Sequence, residues 1–301
     1  MPIDILKSPP GTHLPPLRLV AIIVEFALCV TVTLTSVLVL YKVQSRTIYH
    51  VNLRLSVLNM YLFVPVAEIT RIVLLINVVT VETFLSDEVA TVIYTISGST
   101  VMALLVMQIP LIVERICATV FYRTYVFWKC WSTLIVIAIC WLWVVLMAVQ
   151  IIVLPPVLVM ILLVSSIISV IIIYAILIRI NYTRYHTGLA KQSLDVRHQL
   201  FENVKSLYPI ITNLIVEIVY NIHNVICIFI QFYIVVPSDD IIAYEIEDSI
   251  YNIVREVLLI AYCMPFLVFS EHRQKSQFLK KIGNEEQNTS NMYFQQLQKN
   301  W

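Results

Sequence analysis

Apolar runs of about 20 residues or more recur along this chain at 19–41, 52–79, 89–113, 132–154, 157–178, 207–236 and 250–269. A helix of about 20 apolar residues crosses a hydrocarbon layer roughly 30 Å thick. Within such a layer each backbone N–H and C=O must find its partner inside its own segment, so each run has to be a helix. The expected fold class is therefore an all-α membrane protein, a seven-transmembrane helix bundle. Composition agrees: 59% of the 301 residues are hydrophobic and 13% charged, where a soluble domain carries about 25% charged residues. The second and sixth runs are long enough to tilt or to begin in water. The fourth and fifth are separated by Pro155-Pro156, where a helix must break.

The domain plan that follows is simple. Residues 1–18 are polar and proline-rich, 19–269 form the bundle, and 270–301 form a polar tail. The first segment holds no short apolar core followed by a small-residue cleavage site, so the first apolar run is expected to act as its own insertion signal. Basic residues set the direction. With the amino terminus outside, the inner segments hold Lys42 and Arg46, then Arg115, Arg123 and Lys129, then Arg179, Arg184, Lys191, Arg197 and Lys205, and finally a basic tail from Arg273. The outer segments hold only Lys7 and Arg18, while Glu82, Asp87, Glu88, Asp239, Asp240, Glu245, Glu247 and Asp248 make the outer loops acidic. None of the six cysteines falls in an outer segment, so no extracellular disulfide is expected.

Charges inside apolar spans are costly and need a partner or a water-filled cavity. Glu25 in the first span, Glu68 and Arg71 in the second, and Arg255 and Glu256 in the seventh all count into the outer half. The first, second and seventh helices of such a bundle are neighbours, so Arg71 and Arg255 should face Glu25, Glu68 or Glu256. That cluster either fixes packing alone or lines a ligand pocket. Glu217 and His223 in the sixth span lie six residues apart, hence on different faces, and are expected to bond to neighbouring helices.

At the inner foot of the third span stand Glu114 and Arg115, followed by Ile116-Cys117-Ala118-Thr119. Neighbouring residues point about 100° apart on a helix, so the two should not simply neutralise each other, leaving one to engage another helix or a partner from the water. They read either as such a latch or as two charges snorkelling to the headgroups. The stretch Asp195–Asn203, with Arg197, Gln199 and Glu202, reads as a helix leading into span six, with Val196, Leu200 and Val204 on one stripe. It is either a plain extension of the span or a docking surface for an intracellular partner. Ser270 to Ile282 reads as a helix lying on the inner membrane surface. The sequons at Asn181 and Asn288 fall on the inner side and should go unused.

Some chemistries are left without visible residues. With four glycines there is no phosphate-cradling loop, and no zinc-type His/Cys spacing or nucleophile elbow occurs. No catalytic residue, metal or cofactor is therefore expected. The net charge of +1 argues against nucleic acid as a partner.

Four pieces carry a family resemblance: Tyr49-His-Val-Asn-Leu53, Glu114-Arg-Ile-Cys-Ala-Thr119, Leu194-Asp-Val-Arg-His-Gln-Leu-Phe-Glu-Asn203, and Ile260-Ala-Tyr-Cys-Met-Pro265 with the basic tail after it. Over roughly residues 19 to 282 the chain resembles the nematode serpentine chemoreceptors of class epsilon (Sre), a group of G-protein-coupled receptors. It lacks the Asn-Pro-x-x-Tyr and Cys-Trp-x-Pro pieces of the rhodopsin-like receptors. The resemblance implies detection of a small external molecule at the plasma membrane of a sensory neuron, in its cilium, and activation of a heterotrimeric G protein. It also places the coupling switch on Glu114, Arg115, Ala118, Thr119, Arg197, Gln199, Glu202 and Asn203. A ligand-gated ion channel or a transporter is the alternative reading; the repeated halves usual in transporters are not evident.

Overall fold

A computed structural model of the chain describes residues 16–45, 50–80, 84–149, 154–188, 194–238 and 240–268, and within 194–202 it describes the backbone only. The basic tail and its expected surface helix lie outside these residues, as do Lys7, Arg46, Glu82, Lys191, Asp239 and Tyr49.

Every long element is a helix, and among the described residues there is no strand. In chain order they are α1 (Pro16–Ser45), α2 (Val51–Val79), α3 (Asp87–Met107), α4 (Ile109–Val120), α5 (Trp131–Ala148), α6 (Pro156–Gly188), α7 (Leu194–Ile230) and α8 (Ile241–Val268). Together they provide seven stretches long and apolar enough to cross a membrane, α3 and α4 making the third. The chain is a multi-pass membrane protein. The face of the bundle where α1 begins is called upper below, and the face where α1 finishes lower.

The third span is broken where its sequence runs Met107-Gln108-Ile109-Pro110. Proline has no N–H to donate to the carbonyl four residues back, so α3 stops at Met107 and α4 starts afresh with Pro110 in its first turn. The span then runs on to Val120, one to two turns beyond the apolar run. The seventh helix also differs from its apolar run, starting at Ile241 instead of 250. Glu245, Glu247 and Asp248, expected in an outer loop, are thereby helical. Arg255 and Glu256 fall about 21–23 Å from the start of α8, near its middle rather than in its outer half.

Packing closes a ring. α1 lies between α2 and α8, α8 packs on α7, α7 on α6, and α4 touches α2, α6 and α7 from inside, with α5 against α2, α3 and α4. Trp141 Nε1 on α5 donates to Asn59 Oδ1 on α2 at 2.7 Å, and Asn59 Nδ2 reaches Met107 Sδ at 3.3 Å. A lower core gathers Val57, Met60, Tyr61, Leu111, Tyr174, Leu207 and Phe266, and an adjoining one Val32, Phe63, Val64, Leu104, Met107, Tyr220 and Leu259. Large side chains such as Ile139, Leu142, Ile161 and Ile172 point outward from α5 and α6, while Asn52, Glu68, Asn213, Asn224 and Glu256 are buried. Apolar outside and polar inside is the distribution a lipid solvent favours.

Candidate functional site

Two polar networks occupy the interior, one at the lower end and one running from the middle of the bundle toward the upper end. The lower one is built on α4. Glu114 and Arg115 are both buried, and they bond to each other: Arg115 Nε donates to Glu114 Oε2 at 2.5 Å and NH2 to Oε1 at 2.5 Å. This corrects the expectation that their 100° offset would keep them from neutralising each other. A guanidinium on a long stem can curl back over one residue, and its fork matches a carboxylate edge to edge. Arg115 engages a second helix as well. Its NH1 donates to Ser206 Oγ on α7 at 2.6 Å.

The rest of the motif forms an interhelical seam. Asn203 Nδ2 donates to the Ala118 carbonyl at 3.0 Å, and Asn181 Nδ2 on α6 donates to Thr119 Oγ1 at 2.8 Å. The Arg184 guanidinium donates to the Thr119 carbonyl, capping the end of α4, and stacks over the Tyr122 ring at 4.8 Å. A 3₁₀ turn at Tyr125–Phe127 folds the following loop back so that the Tyr125 hydroxyl donates to Glu114 Oε1. Tyr125 is 1% exposed, and this burial, followed by the Glu114 carboxylate beside it, pushes its phenol well above the usual tyrosine range. Of the switch residues named from the sequence, Glu114, Arg115, Ala118, Thr119 and Asn203 meet here. Arg197, Gln199 and Glu202 stand on the α7 backbone just before Asn203, and their side chains lie outside what is described.

Four participants were not singled out beforehand: Ser206, Asn181, Arg184 and Tyr125. Asn181, which in the sequence stands out only as a sequon, is 2% exposed and holds Thr119, which removes it as an attachment point. Ser206 is four residues, one helical turn, beyond Glu202, so an i, i+4 extension of the Asp195–Asn203 helix could have found it.

The upper network joins α1, α2 and α8, as the in-span charges foretold. Arg71 Nε donates to Glu25 Oε1 at 2.5 Å, and its NH2 lies 3.2 Å from Asp248 Oδ2. Arg255 NH2 bonds Glu256 Oε1 at 2.6 Å and reaches Glu68 Oε1 only at 3.9 Å. Asp248 joins because α8 starts earlier than its apolar run. Above these, Arg18 NH1 pairs with Glu245 Oε1 at 2.5 Å, and the Tyr94 and Tyr244 hydroxyls lie 3.3 Å apart. In α7, His223 Nε2 lies 3.2 Å from the Tyr251 carbonyl with the two rings stacked. It makes the interhelical bond expected of it. For Glu217 the described contacts include no interhelical bond: its Oε2 has no hydrogen-bond partner, and the residue lines a small cavity with Leu104, Tyr220, Leu258, Leu259 and Tyr262.

Neither the protein-family models nor the curated proteins contain a match to this chain.

Proposed function

We propose that the chain is a chemosensory serpentine receptor of the nematode class epsilon kind, amino terminus outside, which detects a small external molecule and activates a heterotrimeric G protein. One observation carries the reading: Arg115, at the lower foot of the third span, is buried and tied to Ser206 on the sixth, next to the bond between Ala118 of its own motif and Asn203 of the α7 piece. Such a tie has two discrete arrangements, made and broken, and therefore suits a protein whose output depends on which one is populated. In the resting arrangement Arg115 holds α4 against α7. Once released, the same guanidinium helps open the inner side, so losing Arg115 itself abolishes activation whereas losing only its Ser206 partner favours release. A ligand with higher affinity for the other arrangement shifts the balance, parts the lower ends of these helices and exposes an inner cleft beside the Asp195–Asn203 segment. The cluster of Glu25, Glu68, Arg71, Arg255 and Glu256, which runs from the middle of α8 upward, supports a ligand pocket entered from the upper side.

The test is Arg115→Ala in a heterologous cell with a calcium or cAMP readout and a ligand panel. The variant reaches the surface like the parent and no longer activates the G protein. Unchanged signalling at equal surface expression would remove Arg115 from the mechanism.

A further inference from the structure

Three helices bring one potential metal donor each to a single point in the bundle. Cys29 on α1, Glu68 on α2 and Glu256 on α8 offer ligand atoms that all lie within 4.8 Å of one another. Each of the three residues is 0% exposed. Both oxygens of Glu68 and Oε2 of Glu256 lack a hydrogen-bond partner other than one another and the Cys29 thiol. The nearest cation does not answer for them: Arg255 grips Glu256 Oε1 at 2.6 Å but stays 3.9 Å from Glu68, and Arg71 is occupied by Glu25 and Asp248. Two ionised carboxylates against one guanidinium would carry a net negative charge where water cannot solvate it, so a proton or a further cation has to answer for it.

We propose that Cys29, Glu68 and Glu256 form a three-ligand site for a soft divalent cation of the zinc type. A thiolate and two carboxylates suit that ion, whereas calcium and magnesium take all-oxygen shells of six or more ligands. On binding, the Cys29 proton leaves to solvent; thiolate, two carboxylates, Arg255 and a divalent ion then sum to neutrality. Bonds of about 2.0–2.3 Å set tetrahedral ligands roughly 3.3–3.8 Å apart, so rotation of side chains by about 1 Å completes the shell, with water as the fourth ligand. Arg255 serves as the outer partner that fixes Glu256 by its other oxygen. The ion would pin α1, α2 and α8 together, whether or not the protein is a receptor.

The experiment uses the full chain purified in detergent, stripped with chelator and dialysed against zinc or cobalt alone. Elemental analysis is expected to find one equivalent of zinc, and the cobalt form to show a thiolate-to-metal charge-transfer band. Both disappear in Cys29→Ala and Glu68→Gln and persist in Cys117→Ser. Should the first two variants fail to fold, X-ray absorption of the wild-type zinc form decides, with one sulfur neighbour expected. The proposal is overturned by folded wild-type protein without stoichiometric metal, by a cobalt spectrum without the thiolate band, or by a shared proton instead. The last would appear as an infrared carboxylic-acid C=O stretch that persists in zinc and vanishes in Glu68→Gln.

Discussion

Arg115 on α4 and Ser206 on α7 are joined by a 2.6 Å hydrogen bond inside the lower end of the bundle, and Glu114 takes the remaining edge of the same guanidinium. The charge is thus neutralised from its own helix, and the contact to α7 is a single uncharged acceptor. Losing that contact strands no ion.

Ser206→Ala should therefore loosen α4 from α7 without disturbing the Glu114–Arg115 pair. A hydrogen bond to a charged group is worth about 1.5–3 kcal/mol, and about 1.4 kcal/mol is tenfold in an equilibrium. On the receptor reading, ligand-free signalling rises by roughly tenfold, read as basal cAMP or calcium at matched surface expression. A fall in basal output would mean that the bond serves the active arrangement.

Arg71→Leu leaves Glu25 buried without its closest cation, and breaking a buried pair in this way costs about 3–5 kcal/mol. Thermal unfolding in detergent should show a marked loss for this variant. Adding Glu25→Leu should restore much of it, since the stranded charge then goes too. If the double variant is no more stable than the single one, Glu25 is not the partner that matters.

Tyr125 offers a pH test on a group outside the spans. Its phenol is held neutral above the ordinary value of about 10. Above that pH the unfolded chain has lost the proton while the folded chain keeps it, so stability falls as pH rises, and the contribution is complete below pH about 10. Tyr125→Phe removes the hydroxyl and should flatten the alkaline limb of a stability-against-pH curve relative to wild type. An identical slope in the two proteins would rule the residue out as a contributor.

Sidedness can be tested directly. An amino-terminal epitope tag should bind antibody on intact cells, and a carboxyl-terminal one only after permeabilisation, as the distribution of Lys and Arg requires. The reverse result would fit a seven-span channel of opposite topology and would end the G-protein reading.

The helices are legible in the residues because lipid leaves them no alternative: an apolar run of sufficient length must satisfy its own backbone. The convergence of Glu25, Glu68, Arg71, Arg255 and Glu256 is legible too, because an ion in such a medium has to be answered by another helix. Hydropathy counts side chains, however, and not backbone donors, so it passed over the break that Pro110 imposes between α3 and α4. It also stopped short in α8, whose first turns carry Glu245, Glu247 and Asp248.

What only the packed bundle decided was partnership. Spacing on one helix says where a side chain starts, not how far it bends, so Arg115 curling onto Glu114 could not be read from a 100° offset. Asn181 and Tyr125 reach α4 from a segment far away in sequence, or around a 3₁₀ turn, and no local pattern marks them, while Ser206 is marked only by its i, i+4 place after Glu202. Cys29, unremarkable where it stands on α1, likewise meets Glu68 and Glu256 only in the packed bundle. The helices were determined one at a time by the solvent they cross, while the polar contacts inside depend on three or more of them arriving together.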